Sequence, residues 1–254
     1  MLPNQRRKKI LDLLREDGQA KVADLCRIFK VSEPTIRQDL AKLEEEGSIT
    51  REHGGAYVKN IESFAKELVL HNISNMEAKM RIAQRAVTFV QNGDTIILDS
   101  GSTTTEIAKL LVNFSMLTVI TNALNIALIL GTNPGISLIV TGGEFKAPTI
   151  SLTGQKAADF FNGIHVDKLF LATAGISLKA GLTYPSISDL CVKRAMIDAA
   201  DKVYLVADST KLGQNSFASM GTLSQIDCLI TDAGITGEFA EMLKQNEIDY
   251  IVAD

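Results

Sequence analysis

The chain begins with three short segments in which apolar residues recur at the spacing of one helical face. These segments predict helices over residues 4–17, 22–29 and 33–46. The apolar positions are Ile10, Leu13 and Leu14, then Val22, Leu25, Cys26 and Phe29, then Ile36, Leu40 and Leu43. Gly18 and Gly47 follow the first and third helices, where glycine commonly ends a helix.

The third predicted helix carries polar side chains opposite its apolar stripe. Ser32 is placed to cap this helix, and Pro34 lies in its first turn. The outward residues are Arg37, Gln38, Ala41 and Lys42, with Thr35 on the flank. Two helices joined by a tight turn, the second with exposed Arg and Gln, are typical of a helix-turn-helix that binds DNA.

Residues 48–58 predict a two-stranded ribbon that turns at Gly54-Gly55. A ribbon directly after a recognition helix is a wing. Arg51 and His53 are therefore placed to contact the sugar-phosphate backbone or a minor groove. An ordinary turn histidine is the alternative for His53.

Residues 59–76 lack a clear period and predict a linker, with some helix near 64–70. Beyond it, apolar runs alternate with helical patterns, which predicts a doubly wound, mostly parallel α/β sheet. The predicted strands are 95–99, 118–122, 136–141, 168–173, 202–207, 228–231 and 248–253, and the predicted helices are 77–91, 103–112, 123–130, 155–162, 188–200 and 235–246.

A strand that ends at Asp99 is followed by five small residues and then by a helical pattern. A turn of this kind leaves backbone N–H groups unpaired at the positive end of a helix, which favours an anion. The small residues are Ser100, Gly101, Ser102, Thr103 and Thr104. With no lysine and one glycine, the loop is neither a Walker loop nor a dinucleotide fingerprint. A well-capped structural turn is the alternative.

Polar residues also follow the other predicted strands. They are Thr121, Asn122, Gly142, Gly143, Gly175, Asp208 and Lys211. Ligands of open α/β sheets bind outside the carboxyl ends of the strands. The sequence therefore predicts a ligand site at this edge, with Lys211 as the cation that the 99–104 loop lacks.

Charge and composition narrow the classes of protein. The chain is 46% hydrophobic and 22% charged, as in globular proteins. Residues 1–59 carry a net charge of +2 and the remainder −6, a weak indication that only the first part binds nucleic acid. The cluster Arg6–Lys9 is either solvated or in contact with phosphate. Three widely spaced cysteines predict buried, reduced thiols of a cytoplasmic protein. We expect no metal, cofactor, membrane span or signal peptide.

The first part of the chain resembles the DeoR-type family of bacterial transcription regulators. The resemblance rests on Val31-Ser32-Glu33-Pro34-Thr35-Ile36-Arg37-Gln38-Asp39-Leu40 and on Arg51-Glu52-His53-Gly54-Gly55-Ala56. It implies DNA contacts by Ser32, Thr35, Arg37, Gln38, Lys42, Arg51, His53, Gly54 and Gly55. Gln38 stands where the family usually has a second arginine, so the operator is expected to differ.

The resemblance continues through the second part and implies a sensor domain related to sugar-phosphate isomerases, with a phosphorylated sugar as effector. The implied effector residues are those of the 99–104 loop and the later strand ends, together with Lys193. Ser177 departs from the family's aspartate, and Asp189 stands near where relatives carry glutamate.

The leading hypothesis is a regulator, with domains over 1–58 and 77–254. It would bind double-stranded operator DNA as a homodimer or homotetramer, because one recognition helix reads few base pairs. A sugar-phosphate isomerase with a DNA-binding head is the alternative. Its proton transfer needs a positioned base, and of the residues near the predicted site Asp208 is the one candidate.

Overall fold

A computed structural model describes residues 1–52, 54–58, 75–147 and 149–254 of the chain. The residues form two compact units, Met1–Ser74 and Asn75–Asp254. The predicted linker, and the helix predicted within it, lie almost wholly outside the described residues. In the described part of the chain, no helix is long and apolar enough to cross a membrane.

The first unit is a winged helix-turn-helix, as predicted. Its helices are α1 (Pro3–Asp17), α2 (Val22–Phe29) and α3 (Glu33–Glu45), and its strands are β1 (Gln19–Lys21), β2 (Ile49–Glu52) and β3 (Gly55–Val58). The strands form an antiparallel sheet in the order β1-β3-β2. The predicted stripes of α1 and α3 are buried, whereas Cys26 is only half-buried.

Two predictions about the wing need correction: the position of its turn and the number of strands in its sheet. The turn does not lie at Gly54-Gly55, because β2 ends at Glu52 and Gly55 already pairs with it as the first residue of β3. Gly55 also pairs with Lys21 of β1, a strand too short to show a period in the sequence. Gly54 lies in the turn with φ +89°.

Not every residue of the basic cluster at the start of α1 is available to contact phosphate. Arg6 is buried, and its Nε lies 2.5 Å from Oδ2 of Asp39 on α3, which is also buried. Arg7 Nη1 is 3.7 Å from the other carboxylate oxygen. The buried pair therefore joins α1 to the inner side of the recognition helix.

The second unit is a doubly wound α/β domain, as predicted. All seven predicted strands are present. They are β4 (Thr95–Leu98), β5 (Leu117–Thr121), β6 (Ile136–Val140), β9 (Val166–Leu171), β12 (Ala200–Val206), β14 (Cys228–Asp232) and β15 (Asp249–Ala253). They pair in parallel in the order β15-β14-β12-β9-β4-β5-β6.

Helices cover both faces of this sheet. They are α4 (Met76–Val87), α5 (Ser102–Leu111), α6 (Leu124–Leu130), α7 (Gln155–Asp159), α8 (Ile187–Asp198) and α9 (Gly237–Gln245). Residues of α4, α5 and α6 pack with Ile96 and Leu98 on one face. Residues of α7, α8 and α9 pack with Ile97 on the other. Alternate residues of a strand thus enter different cores, which explains the continuous apolar runs.

Short antiparallel strands that the sequence did not predict complete the unit. The strands β7 (Glu144–Lys146) and β8 (Ser151–Thr153) form a hairpin. The strands β10 (Gly175–Ser177), β11 (Gly181–Tyr184) and β13 (Ala218–Gly221) form a small sheet. Each has too few residues for alternation to be recognised.

We predict that Asp39→Ala destabilises the first unit by about 3–5 kcal/mol, because it leaves the Arg6 guanidinium buried without its carboxylate. Hydrogen exchange of the α1 and α3 amides in the full chain measures this loss. Asp24→Ala is the matched control, since it breaks an exposed pair with Arg27 worth about 0–1 kcal/mol. Equal effects of the two variants would contradict an anchoring role for Asp39.

Candidate functional site

The outward face of α3 carries the side chains predicted to contact DNA. Arg37, Gln38 and Lys42 are exposed, and Thr35 is half-buried. Ser32 occupies the N-cap position, but its hydroxyl lies 2.9 Å from Oγ1 of Thr35 and caps no backbone group. His53 lies outside the described residues.

The basic residues of this face, and Arg51 of β2, are paired with neighbouring carboxylates. The pairs are Arg37 with Glu33 at 2.5 Å, Lys42 with Glu45 at 2.8 Å, and Arg51 with Glu44 at 2.6 Å. Exposed pairs contribute about 0–1 kcal/mol, whereas a bidentate contact to a base contributes about 1–3 kcal/mol. DNA can therefore displace these carboxylates at small cost.

The second candidate site lies along the carboxyl edge of the seven-stranded sheet. Because the strands are parallel, the residues that follow them meet at one edge. Asp99 follows β4, Asn122 follows β5, Gly142 follows β6 and Asp208 follows β12. Four of the predicted positions are thereby brought to the same side of the sheet.

A buried ion pair joins Asp99 to Lys193 of α8. Both side chains are at most 1% exposed, and Lys193 Nζ donates to Oδ2 of Asp99. The backbone N–H of Ala172, which follows β9, donates to the same oxygen at 2.9 Å. Burial raises the pKa of the Asp99 carboxyl, while Lys193 acts in the opposite direction. Lys193 also lies 4.2 Å from the centre of the Tyr184 ring.

The 99–104 loop turns closely against the end of β9. A Cβ on Gly101 would lie 2.7 Å from Cβ of Ala172, so packing against the end of β9 requires a glycine there. The hydroxyls of Thr104 and Thr105 donate to the Gly101 carbonyl at 2.9 and 2.7 Å. Ser100 is buried, and its Oγ has no hydrogen-bond partner among the described residues.

Positive charge lies near α5, the helix that begins at Ser102 within this loop. Lys211 is half-buried on a 3-10 turn after β12, where Asp208 caps the turn by accepting from the Thr210 N–H. Lys79 of α4 is 4% exposed. Burial lowers the pKa of the Lys79 ammonium; Lys211 acts in the same direction, and Asp208 and Glu106 act against it. Lys79 and Lys211 therefore lie close enough together for their charges to interact.

Three of the predicted positions have clear internal contacts. The Thr121 hydroxyl donates to the Leu98 carbonyl at 2.7 Å and accepts from the Ala123 N–H at 3.0 Å. Gly175 lies in the small sheet, where a Cβ would lie 2.6 Å from a backbone oxygen. Gly143 follows β6 with φ +118°. Their part in ligand binding stays a prediction.

A second buried ion pair, which no sequence pattern predicted, lies near the first. Lys146 of β7 donates to Oδ2 of Asp189, and both side chains are nearly inaccessible. Asp189 lies one turn before Lys193 on α8. In the sequence, Asp189 and Lys193 are an acid and a base four residues apart. Their burial and the pairing of Asp189 with Lys146 could not be seen there. No group of three or more metal-ligating side chains occurs in the described ranges.

Two domain-family models and several related proteins match this chain. Residues 6–62 match the DeoR-like helix-turn-helix domain, and residues 74–233 match the DeoR C terminal sensor domain. The HTH-type transcriptional regulator GolR of Listeria innocua is 41% identical, with 91% of each chain covered. The HTH-type transcriptional repressor GlcR of Bacillus subtilis is 34% identical and covers 100% of this chain and 98% of its own.

One further relative and one solved structure also match this chain. The glycerol-3-phosphate regulon repressor of Escherichia coli K12 is 33% identical, with 92% of each chain covered. A ribose 5-phosphate isomerase A structure from Methanocaldococcus jannaschii is 17% identical, covers 54% of this chain and 55% of its own, and has a TM-score of 0.41. That likeness is too distant to transfer an activity. The full-length relatives confirm the expectation of a regulator.

We predict that Lys193→Met destabilises the second unit by about 3–5 kcal/mol at neutral pH, because the Asp99 carboxylate is left buried without its cation. The variant's stability should also fall more steeply than the wild type's as the pH rises. The folded variant keeps a proton on Asp99 that the unfolded chain releases above about pH 4. Melting temperatures between about pH 5 and about pH 8 measure this slope.

The double variant Asp99→Asn with Lys193→Met is the control for this pH dependence. It lacks the Asp99 carboxyl group that titrates. Its melting temperature should therefore change with pH no more steeply than that of the wild type. A single variant with the wild type's slope would show that Lys193 does not control the ionisation of Asp99.

Proposed function

We propose that this chain, which belongs to the DeoR family of transcription regulators, is a repressor of carbohydrate-related genes controlled by a phosphorylated sugar. Residues 1–58 would bind operator DNA, 59–76 would act as a linker, and 77–254 would bind the effector. The names of relatives such as the glycerol-3-phosphate regulon repressor support the role of repressor. As a regulator of genes, the protein would act in the cytoplasm.

The exposed face of α3 is the observation that carries the DNA-binding half. Arg37 and Gln38 stand next to each other near the start of this helix, and their side chains point away from the core. Arginine reads guanine and glutamine reads adenine in the major groove. The buried pair of Arg6 with Asp39 supports the inner side of the helix.

The effector half is supported by the charge and geometry around α5. The first N–H groups of a helix have no intrahelical acceptor, and the positive end of the helix dipole favours an anion there. Lys79 lies close to Glu106 of this helix, and Lys211 lies close to Lys79. We infer that the phosphate lies on the 99–104 loop with Lys211 as its charge partner. To switch DNA binding, the effector must favour one state of the protein over another.

Self-association belongs to the same proposal. A single recognition helix contacts only a few base pairs, and useful specificity in a genome needs more. We therefore infer a homodimer or homotetramer that reads two or more half-sites. Sedimentation of the full chain at about micromolar concentration, close to the affinities of weaker complexes, measures this state.

We predict that Arg37→Ala removes the preference for the operator, because a lost base contact costs about 1–3 kcal/mol. The operator is first selected from random duplexes with the wild-type chain. Gel shifts then compare it with a scrambled duplex at fixed salt. Arg37→Lys is the matched control, since it keeps the charge but not the bidentate fork. Wild-type preference in both variants would exclude Arg37 from base recognition.

We predict that Lys211→Ala weakens effector binding while leaving the melting temperature near that of the wild type. A charge-assisted hydrogen bond to phosphate contributes about 1.5–3 kcal/mol. Calorimetry with sugar phosphates that stabilise the wild type measures the loss. Lys202→Ala is the control, because Lys202 lies near the other end of β12 in an exposed pair with Asp227. Equal affinities for all three proteins would place Lys211 outside the site.

A further inference from the structure

Two buried acceptor atoms near the carboxyl edge have no donor. Asn122 and Asp189 are each 1% exposed. Oδ1 of each has no hydrogen-bond partner among the described residues, and Oγ of Ser100 shares this property. A buried acceptor without a donor is unfavourable. The donors that these atoms require are therefore expected from a ligand.

The orientation of both side chains is set by their other polar atom. Asn122 donates from Nδ2 to the Leu152 carbonyl at 3.1 Å, which leaves Oδ1 as the unpaired atom. Asp189 accepts from Lys146 through Oδ2, so Oδ1 is again the unpaired atom. In both residues the bonded atom fixes which oxygen is left for a ligand.

Backbone contacts hold these two residues at the same edge. The Leu152 N–H donates to the Asn122 carbonyl at 2.7 Å, so the β7–β8 hairpin is joined to the end of β5. The same hairpin carries Lys146 to Asp189. Asp189 is close enough to Asp99 to influence its ionisation. The unpaired oxygens therefore belong to the region that includes the 99–104 loop.

The two lysines next to the unpaired oxygens each have a carboxylate partner. Lys193 pairs with Asp99, and Lys146 pairs with Asp189. Both of these ammonium groups therefore already face a carboxylate, and the unpaired atoms of Asn122 and Asp189 accept but do not donate. A second anionic group of a ligand would meet acceptors, whereas hydroxyl groups can donate to them.

We propose that Asn122 and Asp189 form a hydroxyl-binding subsite that selects polyol or sugar monophosphates and rejects phosphorylated sugar acids. This inference rests on the proposed function, since the phosphate of the same molecule occupies the 99–104 loop. Asp189 excludes a carboxylate by its charge, and Asn122 fixes a hydroxyl by its carbonyl oxygen.

The test compares matched ligands that differ only at the end opposite the phosphate. The six-carbon pair is glucitol 6-phosphate and 6-phosphogluconate, and the three-carbon pair is glycerol 3-phosphate and 3-phosphoglycerate. Calorimetry and thermal shift with the full chain should show the alcohol binding at least about tenfold tighter than the acid in the pair that fits, because like charges oppose each other at short range.

Asp189→Asn tests the residue itself. The Lys146 ammonium can only donate, so it keeps the amide oxygen beside it and turns the amide NH₂ towards the ligand. An acceptor thereby becomes a donor. The preference for the alcohol over the acid should therefore become smaller or reverse in favour of the acid. Asp94→Asn is the control. It alters another Asp–Lys pair, with Lys168, at the amino end of β4 and away from the site, so the ratio of alcohol to acid affinity should stay unchanged.

The outcomes separate the two proposals. If neither alcohols, acids nor the corresponding aldose phosphates bind the wild type, the proposed effector function fails, and the subsite fails with it. If phosphates bind but the alcohol and the acid bind equally, the hydroxyl subsite alone is overturned. The wild-type comparison gives this result even if Asp189→Asn does not fold. If a folded Asp189→Asn protein keeps the wild-type ratio of alcohol to acid affinity, Asp189 does not belong to the subsite.

Discussion

The second unit depends on one constraint: all seven strands of its central sheet run in the same direction. The loops after β4, β5, β6, β9 and β12 are consequently collected at one edge. Their backbone groups need partners at this edge, and Asp99 supplies one by accepting from Ala172 at the end of β9. Lys193 then compensates the charge of this buried carboxylate. The candidate site is thus a consequence of strand direction and of the charges needed to close the edge.

Buried charges have different roles in the two units. In the first unit the pair of Arg6 and Asp39 joins two helices and leaves the outer face of α3 for DNA. In the second unit two buried pairs lie next to acceptor atoms without donors. A buried pair is weak evidence for stability, because desolvation offsets much of the attraction. Two such pairs beside unpaired oxygens support the proposed recognition of a polar ligand.

The start of the second unit lies against the candidate site. Asn75, which precedes α4 and has φ +56°, donates from Nδ2 to Oδ1 of Asp208 at 3.2 Å. Lys79, one turn into α4, is buried near Asp208 and Lys211. The helix that follows the predicted linker is therefore held by the loop that carries Lys211. A ligand at this loop would act close to the point where the sensor unit begins.

The sequence by itself determined the winged helix-turn-helix, the seven parallel strands and the family, because long periodic segments and two spaced motifs report local structure directly. It also identified the polar strand ends, since parallel strands leave such residues at one edge. Only the tertiary structure decided that β1, β7, β8, β10, β11 and β13 exist, because these strands of three or four residues show neither an apolar run nor a clear period. It also decided that Arg6 is buried and that Lys146 meets Asp189. Such pairs join residues distant in the chain, and their burial depends on the packing of several elements at once.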